Sequence, residues 1–286
     1  FLNIQRILAT LAARHATYTG SDPNPLPPGV DASQLAVGDI EVEMQWFCRR
    51  RPFALVAGVD EALAILRECA GYYEPSGEWH GTASALRVWA VQDGDTVAYG
   101  GDPANVQPVL RVRGRYRDFA VSETPTVGAL TRGSRVATNT FEVISAAGGK
   151  PILFFPARFD ITATQPMDGY AYYIANRRYA AENPGTASDP IVSTDAQGSW
   201  WGGTGSGTLA HAAIACFLGD SPATVLAMAE TIEPSVPRIA LVDFRNDCVS
   251  DTLKTMNALW PRWLDATISG DTERAARLTL YGGRPD

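Results

Sequence analysis

The second half of the chain alternates short apolar segments with segments of helical periodicity, and this alternation restricts the fold more than any other feature. The apolar runs at 151–155 and 238–243 have the length of buried strands, and a stretch that favours a helix follows each of them. Such a series predicts βα units, and therefore a parallel sheet or barrel. The predicted order is helix 126–147, strand 151–155, helix 168–181, strand 191–193, a helix from 209, strand 238–243 and helix 249–260.

The first part of the chain has a different pattern. Apolar residues at helical spacing predict a helix over 3–14, and alternating apolar and polar residues predict a strand over 39–47. A second helix is predicted at 60–69, with further strands at 86–91, 96–99 and 109–112. We therefore predict an α/β protein with an N-terminal α+β domain at residues 1–118 and an α/β domain at residues 119–286.

Composition excludes several classes of protein. The formal net charge is −7 over 286 residues, without a basic stripe, which argues against a nucleic-acid-binding protein. The densest positive cluster, 49–51, is expected to be a solvated strand end. No apolar run approaches the ~20 residues that a membrane helix needs. The four cysteines lie far apart without a CxxC pair, so we expect neither a zinc site nor disulfides, and a cytoplasmic protein.

The segment 204–220, TGSGTLAHAAIACFLGD, has the pattern of an anion-binding helix start. Glycines including Gly207 permit close backbone approach, and Thr208 is a residue type that caps helices. Free N–H groups and the positive end of the helix dipole then favour a phosphate or carboxylate beside His211. A histidine in an apolar run is also typical of an ordinary core position, and this alternative stays open.

Five segments occur in an order that resembles the nicotinate phosphoribosyltransferase family. They are ETPTVGALTRGSRVATN from 123, GKPILFFPARFD from 149, DAQGSWWGGTGSGTLAH from 195, IALVDFRND from 239 and YGGRPD from 281. This family belongs to the type II phosphoribosyltransferases, which also include the nicotinamide and quinolinate enzymes. The resemblance implies a barrel in the second domain. Because family members continue well beyond the RPD element, we expect this chain to lack the C-terminal part of that barrel.

The resemblance assigns roles around the base. His211 matches the histidine that ATP phosphorylates, and Thr208 matches a residue that contacts the substituent of the pyridine ring. In the element that matches FGxRR, Phe155 would stack on the ring and Arg158 would bind the anion, while Phe159 replaces the second arginine. An aromatic face and a planar guanidinium suit a pyridine carboxylate. Alternatively, Phe155 fills the core beneath a strand and Arg158 caps a loop.

Carboxylates and cations are expected around the phosphoribosyl group, because its transfer develops positive charge at the sugar carbon while pyrophosphate leaves. Asp243 and Asp286 are the candidates to face ribose hydroxyls or magnesium. The resemblance implies that Arg284 binds the phosphoribosyl substrate. Asp243 is nearly as well explained as a carboxylate that caps a loop, and Asp195 is a weaker candidate because DAQG is also a turn sequence.

These roles imply an ATP-assisted enzyme that joins nicotinate to phosphoribosyl pyrophosphate, with Mg²⁺, to form nicotinate mononucleotide and pyrophosphate in NAD salvage. A homodimer with shared sites is implied as well. The replacement at Phe159 and the Trp200–Trp201 pair leave open a phosphoribosyltransferase for another base. A non-catalytic binding relative is the third possibility.

Overall fold

The computed structural model describes residues 1–186, 188–206 and 209–285. Internal packing divides the chain into two units, Phe1–Gly205 and Ser206–Asp286. This division concerns packing alone, and the domain boundary between residues 118 and 119 stays a prediction.

The first unit contains an antiparallel sheet, two long helices and several short strands and helices. In chain order these are α1 (Leu2–Ala13), β1 (Glu41–Phe47), β2 (Phe53–Leu55), α2 (Val59–Cys69), β3 (Gly71–Tyr73), β4 (Trp79–Gly81), β5 (Arg87–Ala90), β6 (Thr96–Ala98), β7 (Pro108–Arg115), α3 (Tyr116–Phe119), α4 (Glu123–Ala147), β8 (Leu153–Phe154), α5 (Gln165–Glu182), β9 (Ile191–Val192) and α6 (Asp195–Gly198). Short 3-10 turns lie at Ala32–Gln34, Val37–Asp39, Ala83–Ala85, Ala120–Ser122, Pro156–Arg158 and Thr162–Thr164.

The sheet has the strand order β1-β7-β5, and each pair is antiparallel. Its inner face supplies Trp46 and Val112 to a core that also contains Leu66 of α2 and Leu130 of α4. Charged residues occupy the other face, where Arg113 pairs with Glu41 across β7 and β1 at 2.6 Å. This alternation of buried and charged residues is the period-two pattern that predicts these strands.

Helix α4 lies against the backbone that joins β2 to α2. The amide of Ala57 donates to the Ser134 hydroxyl at 3.2 Å, and the amide of Leu55 donates to the Thr138 hydroxyl at 3.0 Å. A Cβ atom on Gly133 would lie 2.4 Å from the carbonyl oxygen of Ala57, so only glycine permits this approach. On one face of α4, the glycine therefore permits the close approach, and the two hydroxyls accept hydrogen bonds from buried backbone amides in and beside the short strand β2.

The second unit contains α7 (His211–Cys216), α8 (Ser221–Thr231), β10 (Arg238–Leu241), α9 (Cys248–Ile268), α10 (Thr272–Leu278) and β11 (Leu280–Arg284). Strands β10 and β11 are parallel, and Leu241 is opposite Arg284. Val225 of α8, Val242 and Leu259 of α9 form the core beside this pair. The predicted helix at 249–260 is present and extends to Ile268.

The predicted parallel pairing is present, but a closed barrel is not. Within residues 1–186, 188–206 and 209–285, the parallel strands pair two by two, as β8 with β9 and β10 with β11. Strands β8 and β9 each contain only 2 residues, which provide few ladder hydrogen bonds. The protein therefore has a mixed α/β fold, and the barrel expectation is not met in the part of the chain described here.

The helix expected from residue 209 begins later. Its first residue is His211, and Ala210, in extended conformation, takes the N-cap position without a side-chain hydrogen bond. The helix contains only 6 residues and ends before Leu218 and Gly219, which both have positive φ. The extended backbone of Ala210 thus sets the start of the helix. Thr208, the predicted cap, lies outside the described residues.

Replacing Gly133 with alanine tests the close approach of α4. We expect Gly133→Ala to lower the free energy of unfolding by about 1–3 kcal/mol, because the added methyl meets backbone rather than a flexible side chain. Gly128 is on the same helix, with no heavy atom within 4 Å of an added Cβ. Gly128→Ala should therefore stabilise the protein by about 0.5–1 kcal/mol. Urea unfolding of both variants measures the difference, and equal effects would contradict this account.

Candidate functional site

Strands β8 and β9 end side by side, next to the predicted site residues Phe155, Arg158 and Asp195. Leu153 and Phe154 pair with Ile191 and Val192 in parallel, and the Ser193 amide donates to the Phe154 carbonyl at 3.2 Å. Tyr172 of α5 holds both strands, since its hydroxyl donates to the Ile152 carbonyl at 2.7 Å and accepts from the Ile191 amide at 2.9 Å. Segments 155–160 and 193–198 therefore leave the same edge side by side, as predicted for parallel strands.

Phe155 and Arg158 lie at the two ends of the turn that follows β8. Phe155 is half-buried and precedes the 3-10 turn Pro156–Arg158, whereas Arg158 is exposed. Within the described part of the chain, the Arg158 guanidinium makes no ion pair or hydrogen bond, so the structure does not use it to cap the loop. Phe154 stacks on the buried Tyr172 ring, with 4.8 Å between centroids.

Arg132 of α4 fixes this turn, and the sequence reasoning missed it. Its guanidinium donates to both carboxylate oxygens of Asp168, at 2.8 and 2.7 Å, and pairs with Asp160 at 2.9 Å. A further contact of 3.3 Å reaches the Thr164 hydroxyl. The hydrogen bond with the buried Asp168, followed by the pair with Asp160, raises the pKa of Arg132 above its ordinary value. One side chain therefore joins both ends of the segment after Arg158 to α4.

Gln197 is the second side chain that the sequence reasoning missed. It is fully buried, and its Oε1 atom accepts from the Ser193 amide at 3.0 Å and the Thr194 amide at 3.3 Å. Its Nε2 atom donates to Gln165 Oε1 at 2.6 Å. A Cβ on Gly169 would lie 1.9 Å from the Gln197 carbonyl oxygen, so α5 and α6 approach closely only because residue 169 is glycine. This network fixes the start of α6.

Asp195 opens α6, as the turn interpretation of DAQG predicts. Its Oδ1 atom accepts from the Gly205 amide at 2.8 Å, which connects α6 to the glycine-rich segment. The carboxylate is exposed. Asp195 therefore has a structural contact, and a role toward ribose stays a prediction.

His211 and Asp243 form a pair in the second unit. His211 is the first residue of α7, and its Nε2 atom lies 3.0 Å from Asp243 Oδ1. The Asp243 side chain is 13% exposed and the imidazole 39% exposed. The Phe244 ring stacks beside the imidazole, with 6.5 Å between centroids. A carboxylate in this position holds Nε2 as the protonated nitrogen and fixes the orientation of the ring. Asp243 therefore contacts the predicted catalytic residue.

Arg284 lies at the end of β11 and connects to the segment before His211. Its Nη2 atom donates to the Leu209 carbonyl at 3.2 Å, and its own carbonyl accepts from the Val242 amide at 3.2 Å. Parallel pairing of β10 and β11 thus brings Arg284 to the end of the same strand pair as Asp243. Three predicted residues meet in this unit. Gly207, Thr208 and Asp286, which were predicted with them, lie outside the described residues.

Among residues 1–186, 188–206 and 209–285, no group of three or more His, Cys, Asp or Glu side chains is arranged to hold a metal ion. None of the described helices combines the length and the apolar character that crossing a membrane requires.

A family model described as the quinolinate phosphoribosyl transferase N-terminal domain matches residues 31–134. The matched region includes the three-stranded sheet, α2 and the first part of α4. Residues 31–134 therefore resemble the N-terminal domain of a type II phosphoribosyltransferase. The match confirms the resemblance to the type II phosphoribosyltransferases, and the narrower resemblance to the nicotinate enzymes stays a prediction.

Two solved structures are similar in fold to this chain. The nicotinate-nucleotide pyrophosphorylase from Pyrococcus furiosus matches with a TM-score of 0.58 and 20% identity, over 86% of this chain and 64% of that protein. Human nicotinic acid phosphoribosyltransferase matches with a TM-score of 0.55 and 17% identity, over 77% of this chain and 54% of that protein. This chain therefore spans less than two thirds of the length of either protein.

Removing the Arg132 side chain tests how the turn after β8 is held. We expect Arg132→Ala to speed amide hydrogen exchange in residues 156–164 by about tenfold or more, because breaking an ion pair that includes the buried Asp168 costs several kcal/mol. Arg135→Ala, an exposed position on the same helix, should leave that exchange unchanged. Equal protection in both variants would contradict the assigned role of Arg132.

Proposed function

We propose that this type II phosphoribosyltransferase relative acts on nicotinate. It would form nicotinate mononucleotide and pyrophosphate from nicotinate and phosphoribosyl pyrophosphate, with hydrolysis of ATP, as part of NAD salvage. The observation that carries the proposal is the hydrogen bond between Asp243 and His211, the residue that matches the phosphorylated histidine of the family. A homodimer is part of the same proposal.

The base would be bound by the turn after β8. Phe155 is a half-buried aromatic residue of the type that binds a pyridine ring, and Arg158 is exposed, so its guanidinium is available to a carboxylate. Arg132 supports this assignment, because it fixes the segment that follows Arg158 to α4. A fixed turn lowers the entropy that is lost when a ligand binds. Thr208 is the further proposed contact to the pyridine substituent, and Gly207 the proposed close backbone approach.

His211 would accept the terminal phosphoryl group of ATP. In this step a nitrogen of the imidazole attacks the γ-phosphorus, the bond to the bridging oxygen breaks and ADP leaves. Because Nε2 is held by Asp243 as the protonated nitrogen, Nδ1 would be the attacking atom. The Asp243 carboxylate then stabilises the positive charge that develops on the ring. Water later attacks the phosphorus, which releases phosphate and restores the imidazole.

The phosphoribosyl group would be bound by charges at the strand ends. Arg284 is proposed to contact the phosphates, while Asp286, Asp195 and Asp243 are candidates for ribose hydroxyls. Mg²⁺ would be held by one or two carboxylates together with substrate phosphates, which is the usual arrangement for this ion. The pyrophosphate that Mg²⁺ neutralises is then a better leaving group.

A phosphoribosyltransferase for another base is the second candidate. Phe159, which stands where the family motif has a second arginine, is 87% exposed, so the turn carries one guanidinium fewer for an anionic base. Trp200 is also exposed, and Trp201 stacks on Tyr173 with 4.9 Å between centroids. Comparison of nicotinate, nicotinamide and quinolinate as substrates distinguishes these enzymes. A folded protein that binds a base without turnover would favour the non-catalytic alternative.

Substitution of His211 tests the proposed use of ATP. Mononucleotide formation from nicotinate, phosphoribosyl pyrophosphate and Mg²⁺ is measured with and without ATP. We expect His211→Ala to abolish the stimulation by ATP, and Asp243→Asn to reduce it about 10- to 100-fold, because an oriented partner commonly contributes this much. His80→Ala is the matched control, since His80 pairs with Glu74 at 2.9 Å in the first unit. Unchanged stimulation in His211→Ala would exclude the phosphohistidine.

A further inference from the structure

A cavity of about 620 Å³ lies between the edge strand β1 and helix α4. We call it the β1–α4 cavity. Its walls include the buried side chains Trp46, Val109 and Leu130, and Val127 of α4, which is 44% exposed. The volume is within the range of about 300–1,000 Å³ that is usual for small-molecule sites. All of its lining residues belong to the first unit, and none is among the residues proposed to bind nicotinate or the phosphoribosyl group.

Arginines surround this apolar surface. Arg49, Arg50 and Arg135 line the cavity, together with one carboxylate, Glu123. Arg50 is paired with Glu142 at 2.8 Å, and Glu123 accepts from the Tyr116 hydroxyl at 3.2 Å. Arg49 and Arg135 form no ion pair within the described residues, although Arg49 lies over the Phe47 ring at 5.2 Å. Positive charge is therefore concentrated here in a chain whose formal net charge is −7.

An apolar surface and unpaired guanidinium groups are complementary to one class of ligand. The apolar walls gain free energy by covering a hydrophobic body, and a guanidinium at the rim forms charge-assisted hydrogen bonds with a carboxylate. We propose that the β1–α4 cavity binds a small organic anion with a flat apolar body and a single carboxylate. Neutral aromatic molecules gain only the first of these contributions and bind more weakly.

Titration calorimetry with 2-naphthoate and the full chain tests the proposal. We expect 2-naphthoate to bind saturably, with one molecule in this cavity for each chain. The neutral 2-naphthalenemethanol should bind at least tenfold more weakly. Arg135→Gln should weaken 2-naphthoate about tenfold, as expected for loss of a hydrogen bond to a charged group. Arg177→Gln, an exposed arginine on α5, is the matched control and should bind normally. Absence of 2-naphthoate binding, or equal affinity for the neutral molecule, would overturn the proposal.

A second pair of substitutions localises the site. Val127→Glu introduces a carboxylate at the cavity and should abolish binding, whereas Val143→Glu, at a position 52% exposed on the same helix, should not affect it. Arg158→Gln should also leave this binding intact. Binding that is lost in Arg158→Gln but kept in Val127→Glu and Arg135→Gln would assign 2-naphthoate to the proposed nicotinate site, and the inference about the cavity would be wrong.

The rate of alkylation of Cys48 reports whether a ligand occupies the β1–α4 cavity. The thiol is part of the lining, and burial raises its pKa, so its alkylation by iodoacetamide is slow and depends on access. We expect 2-naphthoate to slow alkylation of Cys48 severalfold, and to leave alkylation of the exposed Cys69 unchanged, as measured by peptide mass spectrometry. Equal rates at Cys48 with and without bound 2-naphthoate would show that the ligand lies elsewhere.

Discussion

The close contact between α4 and the backbone of residues 55–58 is the constraint on which the first unit depends. Gly133 permits the approach, and the Ser134 and Thr138 hydroxyls receive amide protons that strand β2 does not pair. A buried backbone N–H group without a partner destabilises the folded state. The two hydroxyls remove this cost and therefore stabilise the short strand β2. Arg132 is the residue before Gly133 on the same helix. Its long side chain forms ion pairs with Asp160 and Asp168. Neighbouring residues of one helix thus connect the N-terminal sheet to the turn that carries Arg158.

Two groups of predicted site residues result, one in each packing unit. The first group contains Phe155, Arg158 and Asp195 at the ends of β8 and β9. The second contains His211, Asp243 and Arg284 at the ends of β10 and β11. In both cases parallel pairing of two short strands brings residues that are distant in sequence to one edge. The phosphoribosyl transfer that we propose needs groups for a base and groups for phosphates and ribose, and these two sets contain residue types suited to each role.

Periodicity predicted most helices and strands because local patterns determine them. The strands at 41–47 and 108–115 have alternating burial, and α4 follows the predicted helix to within three residues at its start. Contacts between distant residues were not predictable in this way. His211 and Asp243 were each identified, but their hydrogen bond depends on how β10 lies beside α7, which no local pattern encodes. Arg132 and Gln197 were missed because each acts through buried partners, and the start of α7 was misplaced because Ala210, a poor capping residue type, holds the N-cap.

Phosphate transfer to the protein is the most direct test of the proposed chemistry. Incubation with ATP that carries a radioactive γ-phosphate, followed by peptide mapping, should show an acid-labile, base-stable label on the peptide that contains His211. The same label should be absent from His211→Ala and reduced in Asp243→Asn, because the carboxylate holds the imidazole in the reactive orientation. A folded protein that takes up no label, or a label that persists in His211→Ala, would contradict the account.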